Sequence, residues 1–161
     1  MTRSELEIII KKRAAIVVTL FAALLAINTM LGNANSSKIM NNTIAANNQW
    51  SWYQAKNVRS VIYTAAAESC TNKNGCDNFR AEALRMKHDM EEIANKAKAL
   101  EAERDVAKHK SAYFTFAGSL LQIGIVLSTA AILAVTMPLF WASVGTGLIG
   151  AGLFLFGLFG A

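Results

Sequence analysis

The chain has 161 residues, 53% of them hydrophobic, and carries a formal net charge of +5. With a mean hydropathy of +0.31, that composition suits a small multi-span membrane protein and argues against a soluble domain. The mild basic excess does not mark a nucleic-acid binder: from Asn33 to Lys110, 12 Lys and Arg stand against 9 Asp and Glu, with signs alternating as on a solvated helix face.

The first apolar segment is Ala14–Leu31, interrupted only by Thr19, Asn28 and Thr29. Arg3, Lys11, Lys12 and Arg13 precede it, and Gly32 and Ala34 follow. A signal peptide shares this plan, but the apolar run is long for one. An uncleaved transmembrane helix is therefore expected, with residues 1–31 forming the basic flank and span 1.

Residues 32–110 are polar. Seven Asn (33, 35, 41, 42, 47, 48 and 57) lower helix propensity in the first half, yet no proline or glycine interrupts 33–71. An apolar stripe at Ala55, Val58, Ile62, Ala65 and Ser69 follows an aromatic group, Trp50, Trp52 and Tyr53. Cys70-Thr71-Asn72-Lys73-Asn74-Gly75-Cys76 comes next, and its Asn-Gly is a strong turn signal. Beyond it, Phe79, Ala83, Met86, Met90, Ile93, Ala97 and Leu100 recur in steps of four and three, a coiled-coil seam that Arg104 interrupts and Ala107 and Ser111 resume. Arms of nearly equal length on either side of the cysteines predict an antiparallel helical hairpin with its tip at 70–76. Cys70 and Cys76 can close a disulfide there in an oxidising compartment; two cysteines without further ligands do not make a zinc site.

Residues 111–161 contain no Asp, Glu, Lys, Arg or His. At about 20 residues per span the run holds two helices, and Pro138 divides them. Phe140 and Trp141 beside this turn, and Tyr113 and Phe114 at the far end, are candidate interfacial aromatics. Asn28 and Gln122, the strongly polar side chains within the spans, read as packing devices. On the third span Ser143, Gly147, Gly150, Gly157 and Ala161 share a seam with Phe154, the arrangement that lets helices approach closely in lipid.

The expected fold is thus an all-α membrane protein: three transmembrane helices with a long extramembrane antiparallel coiled-coil hairpin between spans 1 and 2. The basic flank favours a cytoplasmic N-terminus and the cysteines favour an outside hairpin, periplasmic in a bacterial inner membrane. The basic group at Lys96, Lys98, Arg104, Lys108 and Lys110 argues the other way, but long loops translocate largely regardless of charge.

No nucleophile and base are placed together: His88 and His109 are 21 residues apart on one helix, roughly 30 Å along its axis. No catalytic residue, metal, cofactor or small-molecule substrate is expected. The expected partners are the lipid bilayer and either further copies or a larger membrane complex. Trp50, Trp52, Tyr53, Gln54, Lys56, Gly147, Gly150 and Gly157 are the candidate packing or partner contacts. The leading function is a scaffold or accessory subunit. The alternatives are a pore component lined by several copies of the third span and an envelope redox sensor working through Cys70 and Cys76.

The stretch Asn47-Asn48-Gln49-Trp50-Ser51-Trp52-Tyr53-Gln54-Ala55-Lys56 resembles the signature of a bacterial membrane family, domain-of-unknown-function family 4337. Its members share an Asn-rich segment, a Trp and a Tyr-Gln-Ala-Lys run, and a similar plan of one early span, a long helical segment and two late spans. Trp50 and Tyr53–Lys56 match; members often carry Asp where this chain has Asn48. The resemblance implies no activity and points to Trp50–Lys56 as the segment with the shared role.

Overall fold

The computed structural model describes residues 3–160. Arg3 and Ala161, used above, lie outside the described side chains. The described residues form three α-helices and no strand: α1 (Arg3–Ser69), α2 (Lys73–Ala134) and α3 (Met137–Phe159). Each contains a segment long and apolar enough to cross a membrane. The polar and apolar parts of α1 and α2 are continuous because the chain's single proline lies in α3.

The turn after α1 is tighter than Asn74-Gly75 suggests. Asn72 caps α2: its Oδ1 accepts from the Asn74 amide at 3.2 Å, and its carbonyl accepts from the Cys76 amide at 2.9 Å. Asn-Gly therefore sits in the first helical turn. Between α2 and α3, Val135 adopts φ 51°, a left-handed conformation rare for a β-branched residue. Pro138 occupies the first turn of α3, where a missing N–H costs nothing.

The chain divides into two compact units. The first joins Met1–Ser37 to Ala107–Ala161 and holds the apolar segments. Its core is built from small residues: Ala14 and Ala131 pack with Phe140, and Ala117 packs with Phe114 and Phe154. Asn28 Nδ2 donates to the Phe114 carbonyl at 2.9 Å. Ser143 Oγ donates to the Gly124 carbonyl at 2.8 Å and lies 2.5 Å from Ser128 Oγ. Such bonds and close backbone approach tie the helices of this unit together. Phe140 and Phe114 are buried in this core, whereas Trp141 is 63% exposed and Tyr113 is half-buried, its ring meeting Phe156 edge-on.

The second unit is Lys38–Val106. Its contacts fall along α2 as they rise along α1: Asn42 with Glu103, Trp50 with Glu101, Lys56 with Asp89, Ser60 with Ala83, Tyr63 with Phe79. The α2 seam matches the heptad reading: Ala83, Met86, Ile93 and Ala97 are buried, Met90 and Leu100 half-buried. Phe79 is its exposed end, stacked on Tyr63.

The apolar stripe on α1 could pack against α2 or against a neighbouring copy, and α2 does not cover it. This stripe points away from α2, with Val58 and Ile62 58% and 59% exposed and Ala55, Ala65 and Ser69 also exposed. The residues facing α2 are Tyr53, Lys56, Ser60, Tyr63, Ala67 and Cys70. They too recur in steps of three and four. A seam that carries a lysine and a serine is invisible to hydrophobic pattern alone.

Candidate functional site

The aromatic segment Trp50–Lys56 lies on the second unit, and the structure splits it in two. Trp50 and Tyr53 are half-buried and meet edge-on at 5.6 Å. The Trp50 indole donates to Glu101 Oε1 at 2.9 Å, so Glu101, one position past the half-buried Leu100, is itself a half-buried partner. Lys56 Nζ lies 2.6 Å from Asp89 Oδ2, with both side chains about a third or less exposed. That hydrogen bond holds the Asp89 carboxyl below its ordinary range against the opposing effect of desolvation, with a further contribution from the lysine's charge. The Trp50 and Lys56 bonds lock α1 against α2.

Trp52 and Gln54 turn outward. Trp52 is 67% exposed and stands between two hollows, one of about 290 Å³ with Ala55, Lys56 and Arg59, the other of about 240 Å³ reaching Asp89 and Ile93. An exposed indole beside concave surface is the kind of feature that anchors a protein partner.

The cysteines close the end of this unit. Cys70 and Cys76 are disulfide-bonded, with Cα atoms 5.7 Å apart. Among the described residues, no three His, Cys, Asp or Glu come together as a metal site. His88 and His109 are exposed.

In the first unit, Ser143, Gly147, Gly150, Phe154 and Gly157 are buried as one face of α3. Every glycine on it meets its own chain. A methyl at Gly147 would overlap the Phe21 ring; at Gly150 it would lie 3.1 Å from Ala117 O and Leu121 N; at Gly157, 2.9 Å from Tyr113 Cβ. Phe21, from α1, is the residue the sequence reading missed: it fills the space that Gly147 leaves open, near Gly124. Of the two readings open for this face, packing within the chain or contact with a partner, the glycines meet the chain's own helices. Gly145 and Gly152 lie off this face and meet nothing within 4 Å.

The amides Asn28 and Gln122 also differ. Asn28 is buried and bonded between helices as expected, and its Nδ2 lies 2.9 Å from where a Gly118 side chain would begin. Gln122 is exposed, and among the described residues it has no hydrogen-bond partner.

This arrangement of one early apolar segment, a polar helical unit and two late apolar segments extends over the whole chain. A domain of unknown function, DUF4337, matches residues 10–160. The chain belongs to the DUF4337 family. No curated protein and no solved structure matches it. For a DUF4337 protein the family adds no chemistry, so its working parts must be sought in the surfaces its own helices leave open.

Proposed function

We infer that this DUF4337 protein is a non-enzymatic integral membrane scaffold or accessory subunit that works by helix packing, in a homo-oligomer or a larger membrane complex. In this reading the three apolar segments span a bacterial inner membrane, and Lys38–Val106 is an extramembrane antiparallel coiled-coil hairpin. The bond between Cys70 and Cys76 supports an oxidising, periplasmic location for the hairpin. Lys11, Lys12 and Arg13 support a cytoplasmic N-terminus.

The observation that carries the reading is the outer face of α1 in the second unit. Met40, Ile44, Trp52, Val58, Val61 and Ile62 are all at least 50% exposed. From Lys38 to Ala67 the charged residues are Lys38, Lys56 and Arg59 alone, whereas Asp77–Val106 carries fourteen Asp, Glu, Lys and Arg. One helix of the pair has a solvated surface and the other an apolar and amide-rich one. An exposed apolar surface of this kind marks an interaction site.

The test is extraction of the tagged protein from its native membrane, at natural abundance and in mild detergent, with identification of what accompanies it. The wild type should yield a defined complex that Val58→Glu with Ile62→Glu removes. A bare monomer, or a complex indifferent to the substitutions, would refute the role.

A further inference from the structure

The first unit carries a groove between α1 and α2 that the chain itself does not fill. Its outer part encloses about 280 Å³ and is lined by Asn28, Asn33, Ser36, Ser111, Thr115 and Gln122, among others. A second hollow, with Ile123, Val126 and Leu127, shares Ser119 and Gln122 with the first, so the two adjoin along α2. No lining residue is charged.

Two amides in this groove have unpaired atoms. Asn28 is 4% exposed, and its Oδ1 has no hydrogen bond although its Nδ2 does. Gln122 lies 11 residues past Ser111, roughly 16 Å along the helix, which is about mid-depth in a hydrocarbon layer ~30 Å thick. A polar side chain at that depth without a partner is costly, and such groups face protein or water.

The stripe itself runs Ser111, Thr115, Ser119, Gln122, Val126 and Thr129, in steps of three and four on one side of α2. Except for Ser111, which is half-buried, these residues are exposed. The Thr115, Ser119 and Thr129 hydroxyls bond back to their own helix, which leaves the surface smooth and small.

We propose that this groove seats the α2 of a second copy of the chain, with the two Gln122 amides paired across a two-fold axis normal to the membrane. The inference rests on the membrane-scaffold reading and names one of its partners. A lipid tail offers Gln122 no hydrogen bond. A primary amide carries both donors and an acceptor, so Gln122 is complementary to its own copy. All copies insert in the same direction, so two α2 helices lie parallel and place equal depths opposite each other.

The experiment introduces one cysteine at a time into the full chain, keeping the native disulfide, and oxidises native membranes. Ser119→Cys and Gln122→Cys should give a product of twice the 17.4 kDa chain, while Leu148→Cys, on the 63% exposed surface of α3, should not. In detergent, Gln122→Leu should weaken the dimer about five- to tenfold, the loss of two interhelical hydrogen bonds, and Gln122→Asn should retain most of it. Monomer at both positions, or equal cross-linking at all three, would overturn the proposal. A product of another mass would also overturn it, yet would leave the scaffold reading standing. That reading fails separately, if partners other than a second copy stay with the protein after Val58→Glu with Ile62→Glu.

Discussion

Gly150→Ala tests the packing of the first unit most directly. The added Cβ would lie 3.1 Å from Ala117 O, Leu120 Cβ and Leu121 N. Two of these are backbone atoms of α2, so no rotamer change makes room. The helices must part by about 0.5 Å, and a gap of that order forfeits roughly a quarter of the dispersion at each neighbouring contact. Overpacking of this kind costs about 1–3 kcal/mol. Replacing a helical glycine by alanine returns up to ~1 kcal/mol. The net expectation is about 1–2 kcal/mol of destabilisation, read as a shift of the reversible unfolding transition in mixed micelles. Gly145→Ala and Gly152→Ala meet nothing within 4 Å and should keep only the gain, about 1 kcal/mol. The opposite signs are the point of the comparison. A Gly150→Ala protein as stable as wild type, or a Gly152→Ala protein as weak as Gly150→Ala, would refute the assigned face.

Three further outcomes are expected in the second unit. Replacing Cys70 and Cys76 by Ser should cost about 2 kcal/mol, the amount for so short a loop, with hydrogen exchange rising near the turn and not in the apolar segments. Asp89 has its folded pKa lowered, chiefly by the Lys56 hydrogen bond, so its contribution is present above the unfolded carboxyl value of about 3.9 and is lost as pH falls through the lower folded value. Lys56→Met should flatten the acid limb of the melting temperature against pH; an unchanged limb would mean that the pair contributes nothing. Trp50→Phe removes the donor to Glu101 and should lower stability by about 1 kcal/mol, whereas Trp52→Ala should leave the melting temperature nearly unchanged while reducing recovery of any partner. Reversed effects for the two tryptophans would sink the division of that segment into lock and docking surface.

Much of this architecture is written in residue pattern. The charge-free run after Lys110, the single proline and the heptads from Ala83 to Ala97 determine three helices, their apolar parts and the α2 seam, because hydrophobic period and backbone chemistry are local. The spacing of Cys70 and Cys76 likewise brings their Cα atoms within bonding reach. What the pattern could not decide is which side of α1 meets α2. Both faces repeat every three to four residues, and the more apolar one is the exposed one. The choice is made by pairs distant in sequence, Trp50 with Glu101, Lys56 with Asp89 and Tyr63 with Phe79, whose energy exists only once two helices are in register. The glycine face of α3 is the same case. Its smallness was plain in the sequence, but only the tertiary structure shows that Phe21 fills the space beside Gly147, since a gap says nothing of what will fill it.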